Sequence, residues 1–183
     1  MQWPDDDYPG LMHRGEVPVV DHTMFRSAMA RLGAAVNLIT SDGPAGRYGL
    51  TASAVCSVTD TPPTVLVCIN RASASNSLLK TNGVLCVNVL AAHHAALSER
   101  FADRDSRAAE RFSDEISWSR LSTGSPALND ASVALDCRIA SVSEVGTHSV
   151  FFCEVEAVRI ADRVEGLIYF NRAYHPIGEH IAG

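Results

Sequence analysis

The chain reads as a mainly β protein with short α elements, a barrel or sandwich and not an alternating βαβ sheet. Three observations carry that reading. Six to eight apolar runs rich in Val, Ile, Thr and Cys recur along the 183 residues. Most connections between them are too short for a crossover helix, so neighbours should pair antiparallel. Helical periodicity is confined to a few short stretches. A hydrophobic content of 46% supports one sizeable core, hence a single domain over residues 23–183 preceded by an extended arm over residues 1–22.

The arm places Pro4, Pro9, Gly10, Gly15 and Pro18 among polar groups without periodicity. From Asp21 or Thr23, either a fair N-cap, Phe25, Met29, Leu32 and Val36 recur at helical spacing and predict a first amphipathic helix. Val36 to Thr40 predicts a short strand, and SDGPAGRYG the loop after it. Residues 49–70, GLTASAVCSVTDTPPTVLVCIN, are two apolar runs on either side of a turn at Asp60 to Pro63, and both read as strands. SNSLLKTNG predicts a short helix stopped by Gly83, and VLCVNVL the strand that follows.

Residues 93–112 concentrate charge around Leu97, Phe101 and Ala108 and read as one or two surface helices that cover the fold. In VALDCRIASVSEV, Val133, Leu135, Cys137 and Ile139 point one way while Asp136 and Arg138 form a wet face. GTH at 146–148 turns into SVFFCEVEAVRI, whose Phe151, Cys153, Val155 and Ala157 share a face, so the two runs form an antiparallel pair. Gly166 to Phe170 is the expected last strand, with NRAYHPIG as a tail.

Composition excludes several functions. A net charge of -6, with no cluster of Lys and Arg, argues against nucleic acid as a partner. The five cysteines lie in strand-like runs without C-x-x-C spacing, which suits reduced thiols packed as small hydrophobes in a reducing cytoplasm. The acidic start MQWPDDDYPG resembles neither a signal peptide nor a membrane anchor, so a soluble chain is expected. Gly43, Gly46 and Gly49 fall in a loop without the strand, spacing and helix of a dinucleotide fingerprint, and no Walker A, H-E-x-x-H or G-x-S-x-G motif occurs. His93, His94, His175 and His180 show no metal-ligand spacing, so no metal is expected.

The run from Thr51 is the most informative. Thr51, Ala52, Ser53, Ala54 and Ser57 set small hydrogen-bonding groups beside small apolar ones, so the backbone can approach a flat polar ring system such as a flavin. In order, GLTASAVCSVTDTPPTVLVCIN, NRASAS, VLCVNVL, VGTHSVFFCEV and YFNRAYH resemble the flavin reductase-like family, the short-chain reductase component of two-component flavin monooxygenases. The resemblance covers about residues 25–175 and is closest to reductases serving pyrimidine or chlorophenol oxygenation.

That resemblance implies an FMN-binding split β-barrel and a homodimer. It also implies reduction of FMN or FAD by NADH or NADPH, with delivery of reduced flavin to a flavin-dependent monooxygenase. By residue, it implies that Thr51, Ala52, Ser53 and Ala54, with Ser57 and Asn70, contact the flavin ring and ribityl chain. Ser73 and Ser75, helped by Arg71 or Lys80, would hold the phosphate, while Asn88 and Phe101 line the flavin. His148 would stand near the nicotinamide as the catalytic group, and Arg172 and Tyr174 would flank the flavin or its partner nucleotide. Read from the residues alone, Ser73 is equally an ordinary helix cap and His148 a structural turn histidine. A split-barrel enzyme that retains its flavin, or a flavin-binding protein without catalysis, are the competing expectations.

Overall fold

The computed structural model describes residues 20–103, 108–113 and 115–178. The expected arm lies outside the described residues except for its last three positions, and His180 lies outside them too. Asp21 caps the first helix, α1 (His22–Met29), its carboxylate accepting from the backbone N–H groups of Thr23 and Met24. The helix ends well short of Val36, and Met24, Phe25, Met29 and Leu32 all stand exposed. Among the described residues, twelve strands and three further helices follow. They are β1 (Ala34–Ala35), β2 (Asn37–Ser41), β3 (Tyr48–Ala52), β4 (Val55–Asp60), β5 (Pro63–Asn70), α2 (Ala74–Asn82), β6 (Val84–Val89), α3 (Ala95–Ala102) and α4 (Ala108–Arg111), then β7 (Trp118–Arg120), β8 (Pro126–Leu128), β9 (Val133–Val145), β10 (His148–Ile160), β11 (Glu165–Phe170) and β12 (Ala173–Gly178).

Seven strands form one antiparallel sheet in the order β3-β2-β6-β9-β10-β5-β4. Its edges, β3 and β4, are consecutive in the chain and separated only by Ser53 and Ala54. Laid flat, six strand spacings would hold those edges about 29 Å apart, whereas the link between them reaches about 10 Å. The sheet therefore curls until its edges face each other across a seam. The two edges do not pair, so the barrel stays open along that seam, which is the split-barrel architecture.

Inside the curl, Ile39, Val67, Ile69, Leu85, Val87, Cys137, Phe151 and Cys153 pack with Leu79 from α2. On the other side of β2, Leu38 joins Val36, Leu90, Phe101, Leu128 and Leu167 in a second cluster. Both faces of β2 are thus covered, which is why its run is continuous and not alternating. The long β9–β10 hairpin closes through Gly146 and Thr147, with the positive φ of 55° falling on the glycine. Helix α2 ends as its sequence predicts, with Gly83 left-handed at φ 68° and its N–H bonded to the carbonyl of Leu79.

Three expectations are corrected. The segment NRAYHPIG is not a tail: it carries β12, which pairs with β11, and β11 pairs in turn with β1. Asn171 and Arg172 make the two-residue turn with φ of 48° and 65°, the doubly positive conformation that Asn-Gly usually announces. Of the two residues expected on the wet face of β9, Arg138 is exposed but Asp136 is fully buried, because the β7–β8 hairpin covers that part of the strand. The helices over 93–112 do more than cover the surface, since Ser98, Phe101 and Arg111 are buried. Of the five thiols, Cys86, Cys137 and Cys153 are buried, and burial pushes the Cys153 thiol up to about 12. Cys56, by contrast, is exposed on β4.

Candidate functional site

The seam opens into a cleft of about 580 Å³, within the range of small-molecule sites. Tyr48, Leu50, Thr51 and Ala52 of β3 form one wall, and the Ser53–Ala54 link forms its lip. Cys68, Ile69 and Asn70 of β5 lie opposite and run into Ala72, Ser73 and Ala74 at the start of α2. Phe101, Ala102 and Arg111 complete the lining.

The wall consists largely of small side chains, so a flat ring can lie against backbone there. Thr51 is fixed by donating its hydroxyl to the carbonyl of Ser98, 2.6 Å away, and Ser98 in turn shares a hydrogen bond with the Tyr174 hydroxyl at 2.9 Å. At the α2 end, Asn70 accepts from the N–H of Ala72, bending the chain into the helix. Ser73 is the N-cap, its hydroxyl 2.6 Å from that of the buried Ser75. The N-terminus of α2, at Ser73 and Ala74, thus lies in the cleft lining, a place that favours an anion.

Of the residues the sequence singles out, Thr51, Ala52, Ser53, Ala54, Asn70, Ser73 and Phe101 come together in the cleft lining. Ser75 stands just behind Ser73. Ser57 is exposed on β4, away from the lining. The structure does not bring Asn88 to the cleft. Its amide is fully buried, donating to the carbonyl of Leu38 and the hydroxyl of Thr40 and accepting from the N–H of Leu128. Lys80 and Arg71 are both engaged by Glu144, at 2.7 and 3.0 Å, and the bond from Lys80, with one from the Ser149 hydroxyl, holds that carboxyl below its ordinary range. Arg172 is at the tip of the β11–β12 turn, and Tyr174 acts from behind through Ser98. His148 is exposed at the start of β10, level with Asn70 across the strand pair, its Nδ1 2.9 Å from the Thr147 hydroxyl.

Sequence reasoning missed Arg111. It is 2% exposed and lines the cleft, with its guanidinium 4.9 Å from the centre of the Tyr48 ring. Nη1 donates to the carbonyl of Gly49 and Nη2 to that of Asp103, while Nε is buried without a hydrogen-bond partner among the described residues. The only local signal was a hydrophobic neighbour, Phe112, in a charged stretch.

Sequence spacing also hid the proximity of His93, His94 and Asp130, whose ligand atoms lie within 4.8 Å of one another. Their hydrogen bonds set the chemistry. His94 Nδ1 accepts from the N–H of Ala91, so its proton sits on Nε2 and is donated to Asp130 at 3.1 Å. A ligating histidine donates from the nitrogen that faces away from the metal, the reverse of this arrangement. The three form a hydrogen-bonded latch at the N-terminus of α3. Burial lowers the His94 pKa, and its bond to Asp130 opposes that only in part.

An open antiparallel barrel whose seam holds a small-residue wall, a helix N-terminus and a buried, incompletely bonded guanidinium is a fold and site suited to a flavin. Arg111 and the N-terminal residues of α2, Ser73 and Ala74, share that cleft lining and offer it positive charge. Residues 29–178 match the flavin reductase like domain, and the chain belongs to that family. It is 54% identical over 167 residues to the FMN reductase (NADH) RutF of Variovorax paradoxus, covering 91% of this chain and 92% of that one. Among solved structures, a candidate flavin reductase from Haemophilus somnus superposes with a TM-score of 0.83 at 43% identity, covering 86% of this chain and all of that one. BorF, the flavin reductase component of a bacterial two-component tryptophan halogenase, gives a TM-score of 0.81 at 25% identity over 87% of this chain and all of that one.

Proposed function

We propose that this protein is an NADH-dependent flavin reductase that binds FMN in the seam and releases it reduced to a separate flavin-dependent monooxygenase. The observation that carries the proposal is the cleft itself: the Thr51–Ala54 wall, the α2 N-terminus beside Ser73 and the buried Arg111 in one 580 Å³ space. The Variovorax relative, an FMN reductase (NADH), supports FMN and NADH over FAD and NADPH, and BorF, a reductase component, supports a two-component arrangement. The bound flavin supplies the redox chemistry by accepting hydride from the dihydronicotinamide. The protein's residues do the rest: the small wall lets the ring lie flat, α2 holds the phosphate, and His148 at the rim orients the nicotinamide.

A homodimer fits the same reading. Met24, Phe25, Met29 and Leu32 around α1, and Val58 on β4, are apolar and exposed, and a second copy is the partner expected to cover them. Among the described residues no helix is long and apolar enough to cross a membrane, and the five free thiols suit a reducing cytoplasm.

The test is steady-state oxidation of NADH and NADPH with FMN, FAD and riboflavin supplied in turn. Fastest turnover is expected with NADH and FMN, rising with added flavin. Failure to oxidise either donor with any flavin would reject the enzyme. Turnover that ignores added flavin, on protein purified with flavin bound, would replace release with retention.

A further inference from the structure

We propose that Arg111 is the charge partner of the reduced flavin, a specificity residue that makes the cleft prefer the ligand after hydride transfer over the ligand before it. The proposal rests on the flavin reductase reading above.

Three features of Arg111 lead there. First, it is a permanent cation held at 2% exposure, in a medium where charge acts more strongly than in water. Second, its position is fixed: two of its nitrogens are committed to the carbonyls of Gly49 and Asp103, and Tyr48 supports its plane. Third, Nε is buried with no hydrogen-bond partner among the described residues, in a side chain that lines the cleft. A phosphate needs several donors at once, and the N-terminus of α2 offers them. A buried guanidinium fixed in place, with a full positive charge, suits instead an acceptor edge whose charge changes.

The reaction provides such an edge. The C4–H bond of the dihydronicotinamide breaks with its electron pair, and a new N5–H bond forms on the flavin. The donor leaves as a pyridinium cation, and the acceptor gains two electrons and one negative charge, spread over its N1–C2 carbonyl edge. The bookkeeping is complete without any other co-reactant. A buried guanidinium gains little from the neutral oxidised ring and much from the charged reduced one, so it lowers the free energy of the product side. His148, which is exposed, is poorly placed for that task.

The experiment measures anaerobic binding of oxidised and dithionite-reduced FMN, and of oxidised and reduced riboflavin, to the parent, Arg111→Met and Arg111→Lys. The parent should bind each reduced flavin more tightly than its oxidised form, at high salt as well as low, because a buried charge is little screened. Arg111→Met should lose about tenfold of that preference, which for a two-electron couple lowers the bound flavin's potential by about 30 mV. Arg111→Lys, which keeps the charge but cannot hold both carbonyls, should retain most of it.

Equal weakening of all four ligands would mean that Arg111 merely braces α4 against β3, and the proposal would be wrong. Weakening of FMN with riboflavin unaffected would make Arg111 a phosphate ligand, again overturning it. If the methionine variant fails to fold, a parent that binds reduced flavin no more tightly than oxidised flavin is sufficient to reject the idea. A parent that binds no flavin at all sinks the flavin reductase reading first, and this inference with it.

Discussion

Asp136, beneath the β7–β8 hairpin, and Arg111, in the wall of the cleft, are both charged and almost without solvent exposure, at 0% and 2%. Their surroundings differ. Both oxygens of Asp136 are occupied, Oδ2 by the N–H of Thr123 at 2.6 Å and Oδ1 by its hydroxyl at 2.5 Å. Arg111 makes two bonds to backbone carbonyls and leaves its third kind of nitrogen unpaired. Burying a charge is costly unless its hydrogen bonds are completed within the fold. A complete set marks a structural charge, whereas an incomplete one beside an open cleft marks a charge kept for something that arrives later.

The sharpest way to break this contrast is at Asp136. Asp136→Ala leaves the Thr123 N–H and hydroxyl without their acceptor and should destabilise the fold by about 3 kcal/mol. Urea denaturation would show it as a lower midpoint with an unchanged slope, while flavin affinity of the folded protein stays at the parental value. A loss of flavin binding without loss of stability would reverse the roles assigned to the two charges.

Gly49 tests the cleft side next. A Cβ there would lie 2.5 Å from Cε1 of Phe101 and 2.9 Å from its Cδ1, closer than carbon atoms approach. Gly49→Ala must therefore displace the Phe101 ring, and with it the strand that supplies Arg111 with an acceptor. Overpacking of this kind costs about 1–3 kcal/mol. Here it should also weaken FMN, because Phe101 lines the cleft. Parental FMN affinity in a destabilised Gly49→Ala protein would remove that end of the cleft from the binding site.

The two charges were not equally readable in the sequence. Asp136 sits in a well-alternating strand, which correctly predicts β9 but assigns the residue to water, because the hairpin that covers it comes from residues 118–128 and leaves no local trace. Arg111 lies among charges and reads as solvated, since its acceptor Gly49 is 62 positions away in the chain. Where the cause is local, the reading succeeds. Ser73 and Gly83 bound α2 by capping chemistry carried in their own side chains and dihedrals. The Thr51–Ala54 segment was legible because small residues at a strand end have few other uses. The β11–β12 turn was not, because Asn171–Arg172 takes a conformation for which arginine is an uncommon choice.

His148 sharpens the comparison from the rim. It is level with Asn70, which lines the cleft, yet it is itself exposed. His148→Ala should lower NADH-dependent turnover several-fold and leave flavin affinity and the reduced-over-oxidised preference untouched. Stopped-flow reduction of the flavin would report the first and titration the others. Equal kinetics for variant and parent would take His148 out of the nicotinamide's reach and leave the Arg111 argument standing.

The smallest expected effect belongs to His94, a buried group that is neutral and fully bonded, and so an intermediate case between Asp136 and Arg111. Its Nδ1 accepts from Ala91 and its Nε2 donates to Asp130, with His93 on the same carboxylate oxygen and Glu165 on the far side of the His93 ring. Burial lowers the folded-state pKa beneath the ordinary 6.5. The unfolded chain therefore takes up a proton first as the pH falls below 6.5, and the fold should lose stability from there down to the lowered folded value. Asp130 adds a loss only at much lower pH: its burial is outweighed by the bonds from His94 and His93, so its carboxyl is held below the usual range. Between pH 7 and 5 the urea midpoint of the parent should fall. His94→Gln, which cannot titrate at that position, should start lower but fall less over the same interval. Parallel slopes for the two proteins would show that His94 takes up its proton in the folded state as readily as in the unfolded one, and that the latch is not held closed by a neutral ring.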